Sequence, residues 1–288
     1  MGEPVADQQD IRLPTGRLRV HLWGFTTPEA PTAVCVPGLS SNATGFDRLA
    51  ADLVADGRQV VAMDLRGRGA SDRTHPGTYG WPAHAADVAG IASALGLQQF
   101  DVVGHSMGAY VAMQLAASEP DRVRRLVLID GAGVPEPEAL EIIGRGLERL
   151  DRWHDSADAY VDAVRDAGVV TPWNDLWDRF YRYELEHRPD GKVRSLTSLT
   201  AVLEDVEWGK THRQDALWDR LSCPTLLVTA AIPLGDGRGF VVAPADKARF
   251  ADAVPDCAVM SVDANHFGIL TAPATSEGIR AFLRGRRA

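Results

Sequence analysis

An α/β fold with a mostly parallel central sheet, helices on both faces and an inserted helical segment is what this sequence predicts. Three observations carry the prediction. Predominantly apolar runs recur at residues 33–36, 59–64, 100–103, 126–131, 226–230 and 258–262. A strand without polar alternation is one buried on both faces, as strands of a parallel sheet are. Helically spaced segments separate most of these runs, so successive strands are joined by crossovers. From Ala132 to about Trp218 the pattern breaks: no buried strand is visible, acidic residues are frequent, and five of the seven tryptophans fall there.

Length and composition agree with one large domain plus an insertion. The chain has 288 residues, 45% hydrophobic and 24% charged, enough apolar material for a sizeable core. A net charge of −9 argues against binding a phosphate backbone, and the one basic cluster, Arg284-Gly285-Arg286-Arg287, reads as a solvated tail. No nucleic-acid partner is expected. Residues 1–10 are polar and acidic, without the apolar core of a signal peptide, and no run approaches the ~20 apolar residues needed to span a bilayer. A cytoplasmic protein, monomeric or homodimeric and away from membranes, is the expectation. Cys35, Cys223 and Cys257 lie in or beside apolar runs without metal-ligand spacing, so buried free thiols are expected, with no disulfide and no metal.

Taken in order, residues 17–23 alternate apolar and polar side chains and read as an antiparallel edge strand. The buried run 33–36 ends in Pro37-Gly38-Leu39-Ser40-Ser41-Asn42, whose last three residues suit either polar contacts near a site or the N-cap of a helix over 46–55. After 59–64 comes Leu65-Arg66-Gly67-Arg68-Gly69-Ala70-Ser71-Asp72, where glycines permit tight backbone and Arg66 and Asp72 are expected to hold the loop by ion pairing. A dinucleotide fingerprint needs a third glycine opening a helix, and it is missing. Residues 81–95 have helical spacing and stop at Gly96.

The run 100–109 is the centre of the chain. A short apolar strand passes through Gly104-His105-Ser106-Met107-Gly108 directly into a helical segment. A serine at the apex of so sharp a strand-to-helix turn sits in strained backbone, and its neighbours two positions away on each side must be small; both are glycine. Ser106 is the candidate nucleophile. The helix that starts just beyond it points free N–H groups at the space above the serine, with Met107 N–H as the first donor to an oxyanion. Glu119-Pro120 stops this helix before the next buried run. Beyond the break, strand 223–230, helix 244–254, strand 258–262 and helix 274–283 complete the alternation.

This pentad resembles the nucleophile elbow of the α/β-hydrolase fold, in the serine esterase and lactonase subgroup with Gly-His-Ser-Met-Gly. The resemblance implies a core of residues 1–131 and 219–288 and a helical lid over 132–218. It also implies the chain order nucleophile, acid, histidine. His266, shortly after the last buried strand, matches the family's general base. Proline stands where the family usually has the histidine of a His-Gly pair, but Gly38 is kept, so Leu39 N–H is the second oxyanion donor by that match. Most relatives carry the acid after the strand 226–230, where this chain has Pro233 and, nearby, Asp236. A smaller set carries it one strand earlier, where Asp130 lies. Asp130 is favoured, and Asp236, in a glycine-rich loop, stays open. His105 lies in the elbow facing away from the serine's side, while His21, His75, His84, His154, His187 and His212 are assigned surface or lid roles.

With Ser106, His266 and a carboxylate, hydrolysis of an ester or lactone is the least demanding chemistry. Dehalogenation is disfavoured because the resembling enzymes need an aspartate at position 106. A ligand receptor, or a cofactor-independent lyase or oxygenase, would keep the same residues. No cofactor is expected. In the lid, most aromatics should pack on each other, with two or three of Trp153, Trp173, Trp177 and Tyr181 lining a pocket for a largely apolar substrate of small to middle size.

Overall fold

The computed structural model describes residues 6–27 and 29–285. Half of the N-terminal stretch 1–10, and Arg286 and Arg287 of the basic tail, lie outside the described residues. An eight-stranded sheet runs in the order β1-β2-β4-β3-β5-β6-β9-β10. Its strands are β1 (Asp7–Leu13), β2 (Gly16–Trp23), β3 (Thr32–Val36), β4 (Gln59–Met63), β5 (Phe100–His105), β6 (Val123–Ile129), β9 (Thr225–Ala230) and β10 (Cys257–Val262). From β4 to β10 every pairing is parallel; β1 with β2 and β2 with β4 are antiparallel.

Each parallel strand feeds both faces, as the unbroken apolar runs require. Val34, Val102, Leu126, Leu128 and Leu227 enter one core, with Val88 of α2 (Trp81–Ala94), Val111 of α3 (Met107–Ser118) and Phe250 of α8 (Pro244–Ala253). Their alternating neighbours Cys35, Val103, Val127, Leu226 and Val228 enter the other, with Leu53 of α1 (Asp47–Ala55) and Ile279 of α9 (Pro273–Leu283). The helix over 81–94 packs beside the elbow helix, Trp81 stacking on Tyr110 with ring centroids 4.7 Å apart. Its end is marked by Gly96 at φ +74°, the left-handed position that favours glycine. Asn42 caps the 3-10 turn Ala43–Phe46 that leads into α1, accepting from Thr44 N at 3.0 Å, whereas α1 itself begins after Phe46 without a side-chain cap.

Between β6 and β9 lie α4 (Pro137–Leu147), α5 (Ala157–Asp166), α6 (Asp175–Tyr183), the two-stranded antiparallel hairpin β7 (Leu185–His187) and β8 (Val193–Ser195), and α7 (Leu199–Thr211). A short 3-10 turn, Gln214–Arg220, leads back to the sheet. Its Trp218 packs edge-on against Phe250, in the first of the two sheet-facing cores.

Several expectations need correction. The sheet's edge is β1, not the strand at 17–23, which is paired on both sides. The sequence of β1, Asp-Gln-Gln-Asp-Ile-Arg-Leu, buries only Ile11 and so offers no alternation to read. Arg66 and Asp72 both form ion pairs, but Arg66 pairs with Asp87 at 2.6 Å and Asp72 with Arg17 at 3.1 Å. His21 and His84 are buried rather than on the surface: His21 meets the Tyr183 hydroxyl at 3.1 Å, and His84 meets Asp205 at 2.8 Å. Cys35 and Cys223 are buried free thiols, and Cys257 is half-buried. Among the described residues, no helix is long and apolar enough to cross a membrane.

Two carboxylates fasten the last helix to the first, Asp52 by accepting from Ser276 Oγ at 2.6 Å and Asp56 by pairing with arginines. Asp56, just past the end of α1, accepts two hydrogen bonds from Arg280, at 2.6 and 2.9 Å, and one from Arg284. Its carboxyl is held down at about 2, chiefly by the Arg280 hydrogen bond against the opposing cost of burial. A depressed carboxylate adds stability above its unfolded value of about 4 and loses it as the pH falls through the folded value. Asp56→Asn should therefore cost about 1 kcal/mol at neutral pH. In thermal melts from pH 7 downwards, the gap between the two proteins should close between pH 4 and 2.

Candidate active site

The elbow is built by backbone contact. Ser106 has φ 56° and ψ −124°, a strained region for a residue with a side chain. Added Cβ atoms show why glycines surround it. One at Gly104 would stand 2.2 Å from Gly108 O, one at Gly108 2.0 Å from Val36 O, and one at Gly131 2.5 Å from Ser106 O. Gly38 closes the fourth side, its added Cβ 3.2 Å from Ser106 Cβ. Strands β3 and β5 and the first turn of α3 thus meet where no side chain fits between them.

The serine's partners come from the ends of neighbouring strands. Ser106 Oγ donates to His266 Nε2 at 3.0 Å, and His266 Nδ1 donates to Asp130 Oδ2 at 2.8 Å. Asp130 directly follows β6 with φ 45°, a second strained residue, and its Oδ1 accepts from Ala230 N at 3.0 Å. Both of its carboxylate oxygens are therefore engaged, and Asp130 and His266 are almost fully buried. Asp236 stands exposed in a turn closed by Gly235 N donating to Arg238 O. Of the two candidate acids, the structure brings only Asp130 to the histidine.

His105 lies under His266, the rings stacked with centroids 4.7 Å apart, and its Nε2 donates to His266 O at 3.0 Å. Burial, and then the neighbouring His266, push the His105 pKa far down, so this ring stays neutral. It works as a rigid prop.

Leu39 and Ser106 open onto a cavity of about 310 Å³. Met107 is the first residue of α3, so its N–H lacks an intrahelical acceptor. Of the aromatics expected at the pocket, Trp177 and Tyr181 line it, whereas Trp153 and Trp173 do not. Trp153 is instead held between the guanidinium groups of Arg188 and Arg194, at 5.0 and 4.7 Å. Trp173 stacks on Tyr181 at 5.7 Å from outside the cavity. Phe180 and Phe267 line it in their stead. Phe180 was within reach of sequence reasoning, three residues from Trp177 on one helix face; Phe267 adjoins His266 but carries no periodic signal.

The wall also holds Arg149 and His154, and Arg152 at its rim, which sequence reasoning missed. Burial, followed by the Arg152 charge, lowers the His154 pKa. No group of three or more His, Cys, Asp or Glu among the described residues is arranged to hold a metal ion.

A strained serine between strand and helix, hydrogen-bonded to a histidine and a buried aspartate at the strand ends of a mostly parallel sheet, defines an α/β-hydrolase type of site. The chain belongs to the α/β-hydrolase fold family, whose model matches residues 31–273. It is similar to N-formylmaleamate deformylase of Pseudomonas putida, 29% identical over 237 residues, 80% of this chain and 79% of that one. It also resembles 2-hydroxymuconate semialdehyde hydrolase of Pseudomonas putida, 46% identical over 83 residues, a stretch that spans only 28% of each chain. Among solved structures, E-2-(acetamidomethylene)succinate hydrolase superposes with a TM-score of 0.84 over 97% of this chain and 99% of that chain, at 24% identity.

The elbow's packing makes a prediction that does not depend on chemistry. Because the atom an alanine would add at position 104 meets backbone and not a flexible side chain, Gly104→Ala should destabilise the chain by about 3 kcal/mol or more. Urea or guanidinium midpoints measure this, and a midpoint equal to that of the wild type would refute the packing argument.

Proposed function

We propose that this chain is a serine hydrolase of the esterase and lactonase type, cleaving a carboxylic ester or lactone of a small to mid-sized, largely apolar molecule through an acyl-enzyme on Ser106. The observation that carries the reading is the unbroken line from Ser106 Oγ to His266, 3.0 Å, and from His266 to Asp130, 2.8 Å, with the serine facing a cavity. Asp130 holds the tautomer with the proton on Nδ1, which leaves the Nε2 lone pair for the Ser106 proton. As Oγ attacks the carbonyl carbon, His266 takes that proton and the carbonyl oxygen becomes an oxyanion, with Leu39 and Met107 N–H as its donors. Each such donor is worth roughly 10²–10³ in rate. His266 then protonates the departing alcohol oxygen. Water repeats the sequence on the acyl-enzyme and frees the acid and the serine.

Residues 132–218 are, in this reading, a lid. Support comes from Trp177, Phe180 and Tyr181 of α6, which wall the cavity opposite the elbow and supply stiff apolar surface. Arg149 and Arg152 add cationic character that an apolar-pocket expectation did not include. A second reading, hydrolysis of an amide, is favoured by the similarity to a deformylase over about four-fifths of both chains. The same groups serve it, with His266 protonating an amine. A series of p-nitrophenyl esters, lactones and N-acyl amides, assayed for steady-state turnover, separates the two.

Ser106→Ala should leave the fold intact and lower turnover of any accepted substrate by roughly 10⁴ or more. Labelling by a fluorophosphonate at a residue other than Ser106 would refute the reading.

For the acid, Asp130→Asn should cost about 10⁴ in kcat, while Asp236→Asn stays within about tenfold of wild type. The reverse ranking, in variants with unchanged melting temperatures, would move the acid to the later loop.

A further inference from the structure

Resting on the serine-hydrolase reading above, we propose that Arg68 and Asp205 are positioning residues for the oxyanion donor Leu39, so that correct seating of the inserted segment sets the hole. Arg68 is fully buried and lies outside the cavity wall. Its Nε donates to Leu39 O at 3.0 Å, Nη1 to Arg66 O at 3.0 Å, and Nη2 to Asp205 Oδ2 at 2.5 Å. Asp205 belongs to α7, inside the insertion, and also accepts from Gly80 N at 2.7 Å and from His84 Nε2 at 2.8 Å. The carbonyl of the candidate donor residue is thus tied through one guanidinium to a carboxylate supplied by the insertion.

The next carbonyl is held in a similar way. Arg149 Nη2 donates to Ser40 O at 3.3 Å, and the same guanidinium meets Glu184 at 3.4 Å and the Tyr160 hydroxyl at 3.0 Å. Tyr160 in turn donates to Glu184. Two successive carbonyls of the loop after β3 are therefore each gripped by an arginine whose counter-charge comes from the insertion. On the other side, Gly38 is pressed against Ser106, and Ser41 N donates to Gly38 O at 3.2 Å. Leu39 N–H shares its rigid peptide plane with Gly38 O, which Ser41 N holds, and Arg68 anchors the following plane through Leu39 O, so with both planes held the direction of Leu39 N–H has little freedom left. A donor already aimed at the developing charge is what oxyanion stabilisation requires.

Arg68 suits a test because it does not line the cavity, so its loss cannot act by removing a direct contact with substrate. Arg68→Met is compared with wild type for kcat and KM on an accepted ester, and for affinity toward an alkylboronic acid. The tetrahedral adduct of that acid with Ser106 sets an oxygen in the oxyanion position. The expected result is a kcat lower by about ten- to a hundredfold, KM within about twofold, and boronate affinity weakened by about the same factor as kcat. If the unpaired Asp205 prevents folding, Arg68→Met/Asp205→Asn removes both buried charges together and carries the same expectation. A folded variant with wild-type kcat and boronate affinity overturns the proposal. So does a loss confined to KM, or one that leaves boronate affinity unmoved. A wild-type chain that turns over no ester, lactone or amide overturns the hydrolase reading and this one with it, whereas an active wild type with indifferent variants overturns this one alone.

Discussion

The contact between the first turn of α3 and the ends of β3 and β5 is the constraint from which the rest of the site follows. An added Cβ at Gly108 would lie 2.0 Å from Val36 O, and one at Gly104 2.2 Å from Gly108 O, so these backbones touch directly. Only that closeness can turn the chain from strand to helix within one residue. Ser106 bears the consequence as a φ of 56°, a conformation that costs of order 1–3 kcal/mol. The cost is tolerable because β5 is a central strand and α3 is among the most deeply buried helices, so no relaxed alternative keeps both packed. A serine so held cannot turn its Oγ into the core, and its only outlet is the side where His266 waits.

The same logic of strand ends places Asp130, the acid of the proposed mechanism, just after β6. Strands β5, β6 and β9 are neighbours and parallel, so their carboxyl ends open at one edge of the sheet. Asp130, one residue beyond β6, is next to the nucleophile strand, and Ala230 N at the end of β9 is within 3.0 Å to steady its second oxygen. In this chain the loop after β9 folds its aspartate into a turn closed by its own backbone hydrogen bonds, away from the histidine. Asp236 sits in such a turn and stays in solvent.

How much of this was legible in the sequence follows from where the information lies. The parallel strands were readable because burial on both faces leaves runs such as Leu-Leu-Val-Thr-Ala without polar alternation, and the elbow because Gly104 and Gly108 bracket a serine at fixed spacing. The edge strand β1 was not, since six of its seven residues stay partly or fully exposed and its partner is chosen by a tight turn. Nor could the pocket wall be read. Trp153 and Trp177 are alike as letters, and only the tertiary path of the insertion sends one between two arginines and the other over the serine. Buried ion pairs such as Arg68 with Asp205, 137 residues apart, leave no local signature at all.

His105 shows how the elbow's second residue serves the first. In a turn this tight, the side chain before the serine must point to the opposite side, and here that is directly beneath His266. In the proposed mechanism a charged group there would be harmful, because His266 would become a cation on taking the serine's proton, and a second cation in contact would oppose that step. Burial keeps His105 neutral, and its Nε2–H is spent on the carbonyl of His266. The His266 imidazole, which changes charge in that mechanism, is thus fixed at its ring by Asp130 and at its backbone by a neutral ring that does not compete for the proton. The price of this arrangement is an unpartnered Nδ1 on His105, left buried beside Gly38, where an added Cβ would sit 3.5 Å away at ordinary contact distance.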